Sequence, residues 1–246
     1  MTLLVRGMDY RSQEARSAAE MGGGAPDEVE ALDQIVDRII LARANVSENR
    51  AALVGISGID GSGKGFVSLR LAKSLIERSI NVALISADDW LNLSQISLDR
   101  DGSAEHFYRN AIRFDEMFER LVFPLRGERQ IDLVADCGDA KAKTYRRHRY
   151  RFRGIDVVLL EGILLFKAPY DQSFDLKIWI ECSFETALQR AIVRGQEGLP
   201  PAETRRAFEN TFFPAQRIHL ERDNPRAAAD LIFVNDGSGS EARFAQ

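Results

Sequence analysis

Ala51-Ala52-Leu53-Val54-Gly55-Ile56-Ser57 runs without a break into Gly58-Ile59-Asp60-Gly61-Ser62-Gly63-Lys64-Gly65, and this stretch decides how the chain folds. The first seven residues are too uniformly apolar to alternate, which suits a strand buried on both faces of a parallel sheet. The next eight form a glycine-rich turn ending in lysine, and the residues after it read as a helix. Strand, glycine loop, lysine and helix in this order predict a phosphate-binding turn of the pattern G-x-x-x-x-G-K followed by Ser or Thr. The pattern holds through Lys64 and is broken at Gly65, where the hydroxyl that normally meets magnesium is missing.

A polyphosphate needs several donors converging without side-chain bulk. Gly58, Gly61 and Gly63 let backbone N–H groups wrap it, the following helix offers its positive end, and Lys64 reaches the β and γ phosphates. The expected nucleotide-binding residues are therefore Gly58, Asp60, Gly61, Ser62, Gly63, Lys64, Gly65 and Phe66. A mere tight turn is the bland alternative, and the lysine with its flanking strand and helix argues against it. Three accounts of Gly65 stay open: magnesium held through water by acidic groups, substitution by Ser62 or Ser68, or nucleotide binding without turnover. The loop also resembles that of adenylate kinases, where glycine follows the lysine in active enzymes.

Working outward, Asp27 is placed to cap a helix whose Val29, Leu32, Ile35, Val36, Ile39 and Ile40 share one face. Residues 1–26, with Met21-Gly22-Gly23-Gly24-Ala25-Pro26, read as a flexible arm. A helix from Gly63 to about Arg78 follows the loop. Further buried strands are expected at Asn81–Ser86, Ile155–Gly162, Leu176–Ile180 and Leu231–Asn235. The stretch from 92 to 110 reads as irregular, and a helix over Phe114–Val122 is expected to end at Pro124. Ile131–Val134 suits a short strand. Strands alternating with helices predict an α/β protein with a doubly wound, five-stranded parallel sheet and its site at the strands' carboxyl ends.

Two acids fall on that edge. Asp88, at the head of Asp88-Asp89-Trp90, is the candidate base for an acceptor hydroxyl, against the plainer reading of an N-cap. Glu161 suits an acidic group orienting magnesium, directly or through water, against a plain buried partner for Lys64. Arg190 and Arg194, four apart on one helical face, fit a lid over about 190–201 that neutralises transferring phosphate; a solvated face is the alternative.

Of 246 residues, 45% are hydrophobic and 28% charged, a globular composition expected to form one domain over 27–246. Two cysteines and three histidines without metal-ligand spacing argue against disulfide scaffolds and structural zinc. No apolar run is long enough for a membrane span, and a cytoplasmic protein is expected. The net charge of −4 disfavours a general nucleic-acid binder, although 141–153 holds seven Lys or Arg and no acid. That block, interleaved with Tyr145, His148, Tyr150 and Phe152, reads as a solvated basic helix or hairpin, an anionic-ligand surface, or, last in order, an RNA patch.

The order of elements resembles the uridine kinase and phosphoribulokinase group of P-loop kinases over about 50–236. The resemblance rests on the loop through Lys64, on Ile85-Ser86-Ala87-Asp88-Asp89-Trp90, on Phe114-Asp115-Glu116-Met117-Phe118 through Leu125, and on Asp156 through Gly162. Ala187-Leu188-Gln189-Arg190 with Arg194, and Ala229-Asp230 through Asn235, complete it. It implies a P-loop NTPase fold with a small lid and ATP- or GTP-dependent, Mg2+-assisted phosphoryl transfer to a sugar-type hydroxyl. Asp88, Lys64, Arg190 and Arg194 would be catalytic, and the elaboration at about 92–153 would hold the acceptor through Asp89, Trp90, Tyr145 and His148. The implied partners are a nucleoside triphosphate and a small-molecule hydroxyl acceptor, with no membrane, no expected nucleic acid, and assembly of identical copies left open. Where uridine kinases carry Tyr-Asp-Phe and a later His, this chain has Thr144-Tyr145-Arg146-Arg147-His148, so the acceptor's identity is not given by the resemblance.

Overall fold

The computed structural model of the chain describes residues 26–98, 103–138, 143–195, 198–236 and 240–244. The expected N-terminal arm lies outside the described residues except at Pro26, where the first helix, α1 (Pro26–Ala44), begins. Asp27 thus sits inside the helix and is not its cap. Strand β1 (Ala52–Gly58) is buried at every position and leads through the glycine loop into α2 (Lys64–Glu77). Strand β2 (Val82–Ser86) ends in a 3₁₀ turn, Ala87–Trp90. Then come α3 (Ala104–Asn110) and a long helix α4, made of Phe114–Met117, a π turn Phe118–Val122, and Phe123–Glu128.

Strands β3 (Ile131–Cys137) and β4 (Arg146–Phe152) form a separate antiparallel hairpin. After it come β5 (Val157–Gly162), β6 (Leu176–Glu181) and α5 (Phe184–Arg194). Helix α6 joins Pro201–Ala207, a π turn Phe208–Phe212, and Phe213–Arg222. Strands β7 (Leu231–Asn235) and β8 (Ser240–Phe244) close the main sheet, whose order is β2-β5-β1-β6-β7-β8. Five strands are parallel as expected; β8, from the tail, adds an antiparallel edge.

Side-chain alternation in β1 divides the core. Ala52, Val54 and Ile56 pack with Ile35, Val36 and Ile39 of α1 and Val67, Leu71 and Leu75 of α2. Leu53 turns to the other face, toward Met117, Phe118 and Leu121 of α4. Each of these Val, Leu, Ile, Met and Phe side chains contributes roughly 1.5–3 kcal/mol when fully buried. A Cβ at Gly55 would stand 2.5 Å from the Phe166 ring and 2.7 Å from that of Phe174, so both aromatics lie directly on bare strand backbone.

Two further sequence expectations fail for identifiable reasons. The 92–110 stretch is not irregular: it holds a helical turn, Ser94–Ser97, and α3, whose N-cap Ser103 accepts from the His106 N–H. Pro124 does not end α4, because it sits just after the π turn, where the regular hydrogen-bond ladder is already interrupted and a missing N–H is tolerated. Pro214 follows the π turn of α6 in the same way.

Candidate functional site

The glycine loop closes the carboxyl edge of β1 between β5 and β6. Gly61 and Gly63 take φ of +80° and +89°, conformations that side-chain-bearing residues rarely adopt. A Cβ on Gly61 would collide with the Ala187 carbonyl oxygen, and one on Gly63 with the Asn235 amide. Gly63 also stands at the start of α2 with no side-chain cap, and the first turn holds no acid. The N–H groups of a 14-residue helix therefore face the loop without a competing acceptor from the helix itself. Lys64, 7% exposed, lies within this setting.

Three side chains to which the sequence assigned no role shape the site, two by bracing the loop and one by fixing Glu161. Gln216 of α6 accepts from the Asp60 N–H at 2.9 Å. Asn235, at the end of β7, donates to the Ser62 carbonyl at 2.7 Å. Ser86 donates to Glu161 and fixes that carboxylate. Asn235 had a signal, a polar residue ending an otherwise apolar strand; Gln216, lying 156 residues beyond Asp60, had none.

Asp88 is half-buried, at the turn after β2. Burial pushes its carboxyl pKa up; Lys64 and Arg194 oppose the shift, while Asp60 and Asp89 add to it. Loop and strand-end acid thus share one electrostatic site. The capping group here is Ser86, whose hydroxyl accepts from the Asp88 N–H at 3.3 Å, so Asp88 keeps its carboxylate for other partners. Glu161, 5% exposed, is in register with Ile56 of β1 and Ser86 of β2.

Of the two serines considered as replacements for the missing hydroxyl, Ser68 is excluded: it is buried and donates to the Lys64 carbonyl at 2.7 Å. Ser62 Oγ is buried without a partner and stands where a Cβ on Gly58 would meet it at 2.7 Å, beneath the loop. No group of three or more His, Cys, Asp or Glu arranged for a metal occurs among the described residues. A buried carboxylate at the strand edge nevertheless suits magnesium, which keeps several waters and needs only one or two carboxylates beside the phosphates.

Both arginines of α5 reach the loop, in different ways. Arg190 donates to the Ser62 carbonyl at 3.3 Å and the Asn235 carbonyl at 2.9 Å, pinning the loop to β7. Arg194, a third exposed, meets Asp60 at 3.4 Å. Within the expected lid, 196–197 lie outside the described residues. Phe66 stands under the guanidinium of Arg70, 5.6 Å from its ring centre.

On the acceptor side, Trp90 is a correction. It is fully buried, 6.0 Å from and nearly parallel to Tyr150, and belongs to the core that supports the site. Asp89 turns toward the hairpin, accepting from the Tyr150 hydroxyl at 3.4 Å. Tyr145 donates to Asn92 at 3.1 Å and lies beneath Arg113, while His148 meets the edge of Tyr150. The basic block is the hairpin alternative: Arg147, Arg149 and Arg151 are exposed, and Asp132 pairs with Arg149 at 2.6 Å and Arg151 at 3.7 Å.

The parallel sheet, the glycine loop ending in Lys64 and the strand-end acid define a P-loop kinase fold. No protein-family model matches the chain. It is 25% identical over 198 residues to the uridine kinase of Alkaliphilus metalliredigens, covering 78% of this chain and 91% of that one. To human nicotinamide riboside kinase 1 it is 21% identical over 196 residues, covering 79% and 88%. The solved structure of a protein described as a possible uridine kinase from Bacillus stearothermophilus superposes with a TM-score of 0.63 at 19% identity, covering 82% of this chain and 97% of that one. Sequence similarity thus runs to uridine kinases and a nicotinamide riboside kinase, and the fold is that of the P-loop kinases.

Proposed function

We propose that this phosphotransferase moves the γ-phosphoryl group of ATP or GTP to a hydroxyl of a small nucleoside- or sugar-like acceptor. The observation that carries the reading is the shared electrostatic site of Lys64 and Asp88, one on the loop that cradles phosphate and the other at the end of a neighbouring strand. Similarity to a uridine kinase and a nicotinamide riboside kinase supports a hydroxyl as the accepting group.

In this reading the loop amides and Lys64 hold the donor phosphates, and Asp88 takes the proton from the acceptor hydroxyl as its oxygen bonds to phosphorus. The bond from the γ phosphorus to the bridging oxygen breaks, and the nucleoside diphosphate leaves. Glu161, oriented by Ser86, would hold magnesium directly or through water. When bound, the ion would offset negative charge on the donor phosphates. Arg194 stands ready to exchange Asp60 for transferring phosphate, and Arg190 acts as a positioning residue through the Ser62 carbonyl. A desolvated Asp88 is a stronger base than a surface carboxylate, which suits proton abstraction.

A nucleotide-binding protein without turnover is the second reading, and the commitment of Ser68 to the Lys64 carbonyl is the observation that favours it. The two are separated by incubating the protein with ATP, Mg2+ and a panel of nucleosides, pantothenate, sugars and sugar phosphates, then scoring products by mass spectrometry. An acceptor gaining one phosphate supports the kinase. Tight ATP binding with no product from any acceptor would replace it with the second reading.

A further inference from the structure

We propose that the cavity between α4 and the segment following β5 is an anion subsite, in which Lys167 and Arg113 hold a carboxylate or phosphate ester carried by the acceptor. The inference rests on the phosphotransferase reading and narrows its acceptor class. The cavity measures about 390 Å³ and is lined by Asn92, Arg109, Arg113, Asp115, Glu116 and Lys167, among others. That is the small end of ligand pockets, sized for a sugar-like molecule.

Lys167 is the unusual member. Its ammonium donates to the Tyr108 carbonyl at 2.9 Å and lies 4.3 Å and 5.2 Å from the ring centres of Tyr108 and Phe114. Among the described residues no carboxylate pairs with it. An ammonium has three donors, and the carbonyl takes one. Burial depresses its pKa and the Arg109 charge adds to the shift, while Asp223 and Asp115 oppose it without forming an ion pair with the ammonium. Arg113, also in the lining, is ion-paired: its terminal nitrogens donate to Glu116 and the Asp136 carbonyl, and only its Nε is buried with no partner.

Of the two acids in the lining, Glu116 is ion-paired with Arg113 and neither forms an ion pair with Lys167. Asp115 accepts from the Tyr170 hydroxyl at 2.6 Å, and Glu116 is shared between Arg113 and Arg120. Arg109, at the rim, pairs with Glu105 at 2.6 Å. What remains unspent is donor capacity on one lysine and one arginine. An apolar base placed here would leave both desolvated, a cost that an anion removes.

The cavity is also tied to the transfer site. Arg113 N–H donates to the Trp90 carbonyl at 2.9 Å, and Leu91 pairs with Ile112 as an isolated bridge. Asn92 and Asp88 therefore belong to one short segment, with the cavity at one end and the strand-end acid at the other. An acceptor reaching from Lys167 toward Asp88 would present its hydroxyl to the base and keep its anion at a distance from the donor phosphates.

The test keeps the phosphate loop filled with a non-hydrolysable ATP analogue and Mg2+, then titrates inorganic phosphate or acetate against chloride of equal ionic strength. Phosphate or acetate should raise the Tm by about 2–4 °C at several times its Kd. Lys167→Met should abolish the rise; Lys167→Arg and the hairpin control Arg151→Gln should keep it. An equal rise in wild type and Lys167→Met, or none in wild type, overturns the subsite. Turnover is scored with ribose, ribonate and ribose 5-phosphate, which differ in their anionic group. The two anionic forms test carboxylate and phosphate separately, and whichever is used should lose its advantage over ribose in Lys167→Met. Preference for neutral ribose in wild type also overturns the proposal. A Lys167-dependent rise in Tm with no turnover of any acceptor would sink the kinase reading and leave the anion subsite standing.

Discussion

Along the phosphate loop the groups offered to a ligand are mostly backbone atoms, whereas across the cleft, from α3 to the β3–β4 hairpin, they are side chains. Gly61 and Gly63 fix the loop through positive φ, and Asn235, Arg190 and Gln216 brace it by bonding to its carbonyls and amide. Opposite, Arg113 lies over the Tyr145 ring and Lys167 over that of Tyr108, and their hydrogen bonds run to Glu116, the Asp136 carbonyl and the Tyr108 carbonyl. A backbone-built site is specific for a shared chemical group, the triphosphate. A side-chain-built site can change its ligand by a few substitutions.

Asp88 joins the two halves, and its removal is expected to have the largest effect. Asp88→Asn should lower kcat by about 10²–10⁴-fold while the affinity for a non-hydrolysable ATP analogue stays nearly constant. An unchanged kcat removes Asp88 from the mechanism. The same variant has an opposite effect on stability. Because burial raises the folded-state pKa of Asp88 above its unfolded value, its contribution to stability is present at low pH and lost as pH rises through the folded pKa. Above the folded pKa the charged carboxylate is therefore a liability, and Asp88→Asn should raise the Tm there. The acidic limb of kcat/KM in the wild type should lie above the ordinary carboxylate range.

Next in size is Gly61→Ala, which attacks the backbone-built half alone. Its φ of +80° costs an L residue roughly 1–2 kcal/mol, and the new Cβ would run into the Ala187 carbonyl, so the loop must move. Nucleotide binding should fall by at least about tenfold, for which a shift of 1.4 kcal/mol suffices. Unaltered binding by calorimetry would show that the loop geometry is not what holds phosphate.

The same division explains what could be read in the sequence. Strand β1, the glycine loop and the strand-end positions of Asp88 and Glu161 were legible because each is a local signal: an apolar run, a glycine spacing, an acid at a strand's end. Trp90 was misjudged as an acceptor contact because its exposure depends on Tyr150, which comes 60 residues later in a hairpin with no sequence mark of where it docks. Gln216 and Lys167 escaped for the same reason, since their partners Asp60 and Tyr108 are distant in the chain. Pro124 misled because a π turn has no recognised sequence signature to set against proline's rule.

Asn235→Leu is a smaller step on the donor side. It removes the 2.7 Å bond to the Ser62 carbonyl, which keeps Arg190 at 3.3 Å as a second donor. Loss of one such bond, with the carbonyl still satisfied, costs roughly 0.5–1.5 kcal/mol, so the KM for ATP should rise by up to about tenfold, with kcat less affected. A kcat loss as large as that of Asp88→Asn would mean that Asn235 acts on chemistry and not on loop shape. Gly65→Ser should be milder still. If magnesium is already held through Glu161 and water, an added hydroxyl will move the Mg2+ dependence of kcat only slightly, whereas a large gain in turnover would show that the natural loop is impaired.

The smallest effect is expected from the most conspicuous charges. Arg149 on the hairpin's outer face pairs with Asp132 at 2.6 Å, yet the two side chains are 59% and 44% exposed, so water and salt screen them. Arg149→Gln should leave kcat/KM for both substrates and the Tm where they were, and salt-dependent binding to RNA oligonucleotides should be absent before and after the change. The contrast with Lys167 is the point of the measurement. One basic side chain is exposed and already paired, the other is half-buried with donors to spare, and a desolvated cation has far more to gain from an anion than a hydrated one. A loss of activity in Arg149→Gln would move the acceptor from the cavity to the outer face of the hairpin, and with it the whole side-chain-built half of the site.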